Sequence, residues 1–361
     1  MSHMFIPGPV DVADEILAAQ TLPMLPHRSK EFETNFQRAS EKAGELFYTK
    51  DRVFLTASSG TGLHEAAVRN FARRDVLVCV NGAFAERWFE VAVANGKAAD
   101  KLELPWDQPI TPERVFDALK KKHYEMLAVV HNETSTGLQN PIEQIASASL
   151  QASPDTLICV DAVSSLGGVK LEMDVWGLDM LLTSSQKCLA LPPGLGLAAV
   201  SDRALAYAKS VPERGWYFDL VRMEESRLKD STPATPAVSL IYALDLQLDR
   251  ILAEGLEQRF ARHSAMAERV QSLALESELA LYAPKGYRSQ TVTTIVNHGE
   301  FDISDLNGFL LERGMRIANG YGILKGKTFR IAHMGETSMV DIERLLTSLD
   351  EYLQRNKANR A

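Results

Sequence analysis

The feature that most constrains this chain is an alternation of short apolar runs with helical stretches, each run ending abruptly in polar or small residues. Arg52-Val-Phe-Leu-Thr56, Asp75-Val-Leu-Val-Cys-Val80, Met126-Leu-Ala-Val-Val130, Leu157-Ile-Cys-Val160 and Met180-Leu-Leu182 are such runs. Runs this short, bounded by turn residues, suit strands buried on both faces. Helical segments lie between them, among them about 29–47, from 63 onward and about 112–122. The pattern therefore predicts a mostly parallel, doubly wound α/β sheet. Pro192-Pro-Gly-Leu-Gly-Leu-Ala-Ala-Val200 reads as a tight turn and one more strand.

Beyond a loop at Ser231-Thr-Pro-Ala-Thr-Pro236 the pattern changes. A long helical stretch runs from about Ala237, through Gly255, to Leu275. Strands at Thr291–Val296 and Phe329–His333, a helix near Ile303–Arg313 and a last helix from about Ser338 to Gln354 make an α+β unit. The expected division is an N-terminal arm over 1–20, a large domain over 21–245 and a smaller C-terminal α+β domain over 246–361. Residues 1–3 look like a tag remnant and are set aside, and the basic tail after Arg355 is expected to fray.

Composition serves mainly to exclude. A net charge of −8 argues against nucleic acid or an anionic membrane as the main partner. The three cysteines, Cys79, Cys159 and Cys188, lack metal-ligand spacing, and two lie in apolar runs, as reduced buried thiols of a cytoplasmic protein would. No apolar run approaches the roughly 18 residues of a membrane span, and no signal peptide is visible. Three motif-like strings fail on inspection. Gly60-Thr-Gly62 leads to Glu65 where a dinucleotide fingerprint needs a third glycine. Gly322-Ile-Leu-Lys-Gly-Lys-Thr328 is one residue short of a P-loop and leads into a strand, and His64-Glu65 is followed by Val68 where a zinc motif needs histidine.

In parallel α/β sheets, ligands sit at the carboxyl ends of the strands. Here one such end carries Asp161 and a later one carries Lys187. That pair is what pyridoxal phosphate requires: an amine to form a Schiff base with the aldehyde, and an acid to hold the pyridinium nitrogen protonated. Ser58-Ser-Gly-Thr-Gly62 joins a strand to a helix, and the amides and dipole of such a helix start favour an anion. A phosphate suits the turn; a simple capped strand-to-helix turn suits it equally.

Pro7-Gly-Pro9, Ser59-Gly-Thr-Gly62, Asn81-Gly82, Glu133-Thr-Ser-Thr-Gly137, Asp161-Ala-Val-Ser-Ser-Leu-Gly-Gly168, Ser185-Gln-Lys187 and Phe329-Arg-Ile331 together resemble class V aminotransferases. The nearest group is the alanine–glyoxylate, serine–glyoxylate and serine–pyruvate enzymes. The resemblance spans nearly the whole chain and implies a fold-type I pyridoxal phosphate transferase. It implies that Lys187 is the Schiff-base lysine and Asp161 the partner of the ring nitrogen. Ser59, Gly60 and Thr61 would bind the phosphate with Gln186; the family often has histidine where Thr61 stands. Phe84 and Val163 would cover the two ring faces, Phe84 where many relatives have tryptophan, and Thr134 would donate to the phenolic oxygen. Thr235, with Thr232, would reach the phosphate of a neighbouring subunit, which implies a homodimer with shared active sites. Arg330 would grip the substrate carboxylate, and Gly8 would line the substrate mouth. The family often has glycine where Pro26 precedes His27-Arg28, so Arg28 carries no assigned role.

The implied reaction moves an amino group from alanine or serine to glyoxylate or pyruvate. One carboxylate-binding arginine favours a small neutral donor, although Arg28 could serve a second carboxylate. Transaminases of aspartate, phosphoserine or 2-aminoethylphosphonate share the fold. A cysteine desulfurase would need a nucleophilic cysteine in the last third of the chain, and none follows Cys188. A non-catalytic cofactor-binding scaffold would not require lysine, aspartate and arginine together.

Overall fold

Seven strands form the central sheet, in the order Arg52–Ala57, Leu195–Val200, Met180–Ser184, Leu157–Asp161, Met126–Val130, Asp75–Val80, Ala98–Glu103. A computed structural model describes residues 2–299 and 301–358, with the side chain of Lys357 left aside. Leu195–Val200 runs antiparallel to both its neighbours, and the other pairings are parallel. The alternation of side chains along each strand divides the core into two faces. Leu77, Cys79, Leu127, Val129, Ile158, Val160 and Leu181 face the helices Lys30–Leu46, Pro112–Lys121, Ile142–Ala152 and Val238–Glu254. Val76, Val78, Met126, Ala128, Cys159 and Leu182 face Gly60–Phe71, Ala83–Ala94 and Asp202–Ala208. Each such fully buried aliphatic side chain contributes about 1.5–3 kcal/mol.

Helix starts follow the local chemistry. Ser29, Thr111, Ser201, Asp219 and Asp302 each accept an amide of the first turn they cap, and Pro112 fills the first helical position after Thr111. All three cysteines are buried and free. Among the described residues no helix is long and apolar enough to cross a membrane.

A second sheet has the order His3–Phe5, Met315–Asn319, Thr328–Ala332, Val292–Val296, Ala280–Leu281. Helices Leu256–Glu276, Ile303–Glu312 and Met339–Ala358 cover it through Met266, Leu306, Leu310, Leu345 and Leu349. His3, set aside with residues 1–3, pairs with Met315 and opens the parallel strand His3–Phe5; Met1 lies outside the described residues. Met315–Asn319 escaped notice because five residues with an exposed Arg316 carry little apolar signal, although its burial alternates. The long helical stretch is two helices: Gly255, at φ 85°, stops Val238–Glu254 and starts Leu256–Glu276. Gly60, Thr61 and Gly62 belong to the first turn of a helix, not to a loop before it. The tail expected to fray stays helical to Ala358; residues 359–361 lie outside the described residues.

Candidate active site

Six strands of the central sheet point the same way, and the carboxyl ends of five of them lead to the candidate site. In sheet order, skipping the antiparallel strand, those ends lead to Ser59, Lys187, Asp161, Thr134 and Phe84.

Lys187 lies three residues beyond Ser184, in a segment folded back by the Ala190 N–H donating to the Lys187 carbonyl at 2.9 Å. Its Nζ donates to the carbonyl of Pro7. Burial, then the charge of Arg330, pushes the ammonium down to about 8, with Cys188 and Asp161 pulling the other way. Arg330 and Asp161 are thus close enough for Lys187 to feel both. The Pro7–Gly8 turn leaves just enough room: a Cβ on Gly8 would stand 2.6 Å from Lys187 Cδ and 2.8 Å from Nζ, and Gly8 has φ +97°.

Asp161, the last residue of its strand, is buried and hydrogen-bonded on both oxygens. Oδ1 accepts the Val163 N–H at 2.7 Å, and Oδ2 lies 2.6 Å from His64 Nε2. Val163 packs on the first turn of the helix Gly60–Phe71, where its Cγ2 occupies the space a Gly60 side chain would need. His64 went unrecognised in the sequence, where it entered only as half of a failed zinc motif. Its place one turn after Gly60 on the sheet-facing side of a helix was the available signal.

Ser59 is the N-cap of that helix, yet its side chain makes no capping bond, and the first turn carries no acidic residue. Ser184 Oγ nearby is buried without a hydrogen-bond partner among the described residues. The turn therefore offers unclaimed donors and no negative charge of its own.

Phe84 opens the helix Ala83–Ala94 and stacks on Tyr321 at 5.4 Å between centroids, with the Arg87 guanidinium 4.9 Å above its ring. Arg87 also donates to the Tyr321 hydroxyl at 2.8 Å. The amides of Phe84 and Ala85 donate to the buried Glu133 carboxylate, which burial holds above its ordinary range. Thr134 follows directly; its hydroxyl donates to Ser164 Oγ at 2.8 Å, so it must turn to serve a ligand. The roles of Glu133, Tyr321 and Arg87 were likewise unread in the sequence.

Arg330 lies on Thr328–Ala332 with its guanidinium buried, donating to the carbonyls of Asn319 at 3.0 Å and Thr134 at 3.2 Å. Burial pushes it down to about 10, opposed by Glu133. Two carbonyls orient the guanidinium while leaving other N–H groups free for a planar anion.

Other expected residues stand further out. Gln186 is half-buried, and its carbonyl receives the Val10 N–H at 3.2 Å. Thr232 and Thr235 line a groove with Leu55, Thr56, Trp216 and Tyr217 and make no hydrogen bond to Lys187, Asp161 or Arg330 among the described residues. Arg28 is committed to that loop, donating to Ser231 Oγ and to the Thr232 carbonyl at 2.7 Å.

Residues 14–341 match the aminotransferase class-V family. The L-aspartate–glyoxylate aminotransferase of Paracoccus denitrificans is 34% identical over 341 residues, covering 92% of this chain and 86% of that protein. The serine–glyoxylate aminotransferase of Hyphomicrobium methylovorum is 34% identical, covering 99% of this chain and 91% of that protein. Among solved structures, an aspartate aminotransferase of subgroup IV from Thermus thermophilus superposes with a TM-score of 0.91 at 31% identity, covering 98% of this chain and 99% of that one.

Proposed function

The chain belongs to the class-V aminotransferases, and from that premise we propose that it holds pyridoxal phosphate around Lys187. With it the enzyme moves an amino group from a small amino acid, alanine or serine, to glyoxylate or pyruvate. The observation that carries this reading is one strand-end cluster holding an amine lowered to about 8, a carboxylate and a buried guanidinium.

The residues present fit the cofactor. The uncapped, acid-free start of Gly60–Phe71, with Ser59, Gly60, Thr61 and Gln186, would hold the phosphate, and the unpartnered Ser184 hydroxyl lies beside that turn. Asp161 would hold the ring nitrogen, Phe84 and Val163 would cover the ring, and Thr134 would serve the phenolic oxygen. When bound, pyridoxal phosphate supplies an aldehyde that takes up an amine and a ring that accepts electron density from the substrate's α-carbon.

This chain's own residues supply the rest. A fall of the Lys187 amine from 10.5 to about 8 raises its free-base fraction near neutral pH by roughly 300-fold, which makes Nζ both nucleophile and base. Lys187 Nζ takes the proton from the donor's α-carbon and returns one in the acceptor half-reaction. Arg330 binds the carboxylate shared by every amino acid and 2-oxo acid, so donor and acceptor use one site in turn. Asp161, 4% exposed, would hold the ring nitrogen of the bound cofactor away from water.

A second reading, aspartate as the donor, is favoured by Arg87, whose charge reaches Lys187 and whose guanidinium lies over Phe84. We further propose a homodimer with shared active sites, the Ser231–Pro236 loop and the exposed Trp216 and Tyr217 facing the partner, in a cytoplasmic enzyme.

A donor panel of alanine, serine and aspartate against glyoxylate and pyruvate tests the reading, with loss of the bound cofactor's visible absorbance followed for each donor. Alanine or serine is expected to bleach it fastest; a faster response to aspartate moves the assignment to the second reading. Lys187→Ala is expected to keep the cofactor and lose amino transfer, and undiminished transfer in that variant refutes the mechanism.

A further inference from the structure

His64 has no part in the chemistry above, yet it is built into the Asp161 carboxylate. It lies on the helix Gly60–Phe71, is 2% exposed, and brings Nε2 to 2.6 Å from Asp161 Oδ2. Its ring lies flat on the buried Trp88, with centroids 4.4 Å apart and planes 9° apart, so it cannot tilt away without opening the core. Its other nitrogen, Nδ1, is buried with no hydrogen-bond partner among the described residues.

These contacts fix the proton. A separation of 2.6 Å between an imidazole nitrogen and a carboxylate oxygen requires a hydrogen between the two atoms, and the imidazole Nε2 is the group that can donate it to an acceptor. A second proton on Nδ1 would be a buried donor without an acceptor, which folded proteins avoid. The geometry thus points to the tautomer that carries its hydrogen on Nε2. With the Val163 N–H on Oδ1 at 2.7 Å, each carboxylate oxygen receives one donor, and rotation of the group would break both bonds.

Resting on the cofactor reading above, we propose that His64 is a positioning residue. Its Nε2–H holds Asp161 in one orientation and as the anion, which strengthens the carboxylate's hold on the protonated ring nitrogen of pyridoxal phosphate. The competing possibility, that the imidazole merely fills space against Trp88, predicts that any flat ring would do.

His64→Phe keeps the flat ring and removes the N–H; His64→Gln restores an N–H at similar reach. Pyridoxal phosphate affinity and the ¹⁵N shift of the labelled ring nitrogen are read for each. Supporting groups behind a ligand typically matter by about 10-fold to 100-fold. His64→Phe is expected to weaken cofactor binding at least about 10-fold and to move the ring nitrogen toward its unprotonated shift. His64→Gln recovers part of both. In an Asp161→Asn background the phenylalanine substitution adds no further loss, because the partner it acts through is gone. Wild-type affinity and shift in His64→Phe overturn the proposal, as does an equal loss in both backgrounds. The imidazole ¹⁵N shifts of the cofactor-free wild-type protein give an answer independent of how the variants fold: Nε2–H supports the proposal, and Nδ1–H overturns it. A wild-type protein that takes up no pyridoxal phosphate sinks the cofactor reading itself, a result distinct from wild-type protein that binds it beside an indistinguishable His64→Phe.

Discussion

Lys187 is tuned by what surrounds it more than by any single partner, and the tuning has a testable sign. Burial is the largest influence and Arg330 the next, both lowering the amine to about 8. In the cofactor-free protein, labelling of Lys187 by an amine-directed reagent should rise through pH 8 and level off about a unit above it, read by peptide mass spectrometry. Arg330→Leu removes the second influence and should move that midpoint upward, toward 10.5; a midpoint that stays or falls contradicts the electrostatic account. Gly8 sets the space in which this happens. Gly8→Ala forces a Cβ to within 2.6 Å of Lys187 Cδ in a backbone region alanine disfavours. It is expected to cost about 1–3 kcal/mol of stability and most of the amino transfer, measured by thermal unfolding and the donor panel. Unchanged turnover would show that the lysine has slack.

The helix Ala83–Ala94, which positions Phe84, takes its cap from another part of the chain. Its N-cap, Gly82, has no side chain to offer, and Glu133 from the next strand end supplies the acceptor instead, receiving the amides of Phe84 and Ala85 at 3.1 Å each. Gly82 permits this approach, since a Cβ there would meet Glu133 Cγ at 2.2 Å. Glu133→Gln puts an amide NH2 where donors converge and should lower stability by about 1–3 kcal/mol, with a matching loss of cofactor affinity as Phe84 shifts. A thermal midpoint equal to wild type would show that the cap is dispensable. The same region marks the limit of what the sequence reveals. The placement of Asp161, Lys187 and the Ser59 turn after strand ends was legible because apolar runs announce the strands before them. Glu133 stood in a recognisable string, but its partners lie about 50 residues away in the chain, and nothing local specifies that pairing. His64 was hidden for the same reason: its partner Asp161 is 97 residues distant. The paired strand Met315–Asn319 and the register of His3–Phe5 are non-local too, so periodicity found the large sheet and missed the edge of the small one.

Across the whole molecule, one arginine joins the segments that follow Asp161, Lys187 and Arg330. Arg259, on Leu256–Glu276 and 1% exposed, donates to the carbonyls of Gly167 and Cys188 at 2.9 Å and of Gly335 at 3.2 Å, and pairs with Glu254 and Glu336. Gly167 follows the Asp161 strand, Cys188 adjoins Lys187, Gly335 follows the Arg330 strand, and Glu254 ends the helix before Gly255. A single guanidinium therefore ties the Lys187 segment to the strand that carries Arg330. Arg259→Met leaves three carbonyls and two carboxylates short of a donor. Breaking a buried pair in this way typically costs about 3–5 kcal/mol. The sign with pH follows from the two glutamates. Burial alone would raise Glu336, but Arg259 and then Arg250 and Gln247 bring it below 4.5, and Arg262 with Arg259 does the same for Glu254. Carboxylates depressed in the folded state add stability that is complete above their unfolded value and is lost as pH falls through the folded one. The wild-type protein should therefore hold its stability down to about pH 4.5 and lose it below. Arg259→Met, with weaker depression of both groups, should be less stable at pH 7 and should gain less from its glutamates over the acid range. The stability gap between the two proteins is then expected to narrow as pH falls below 4.5, followed by tryptophan fluorescence in denaturant titrations at each pH. A gap that stays constant from pH 7 downward would mean that Arg259 acts through the three carbonyls alone.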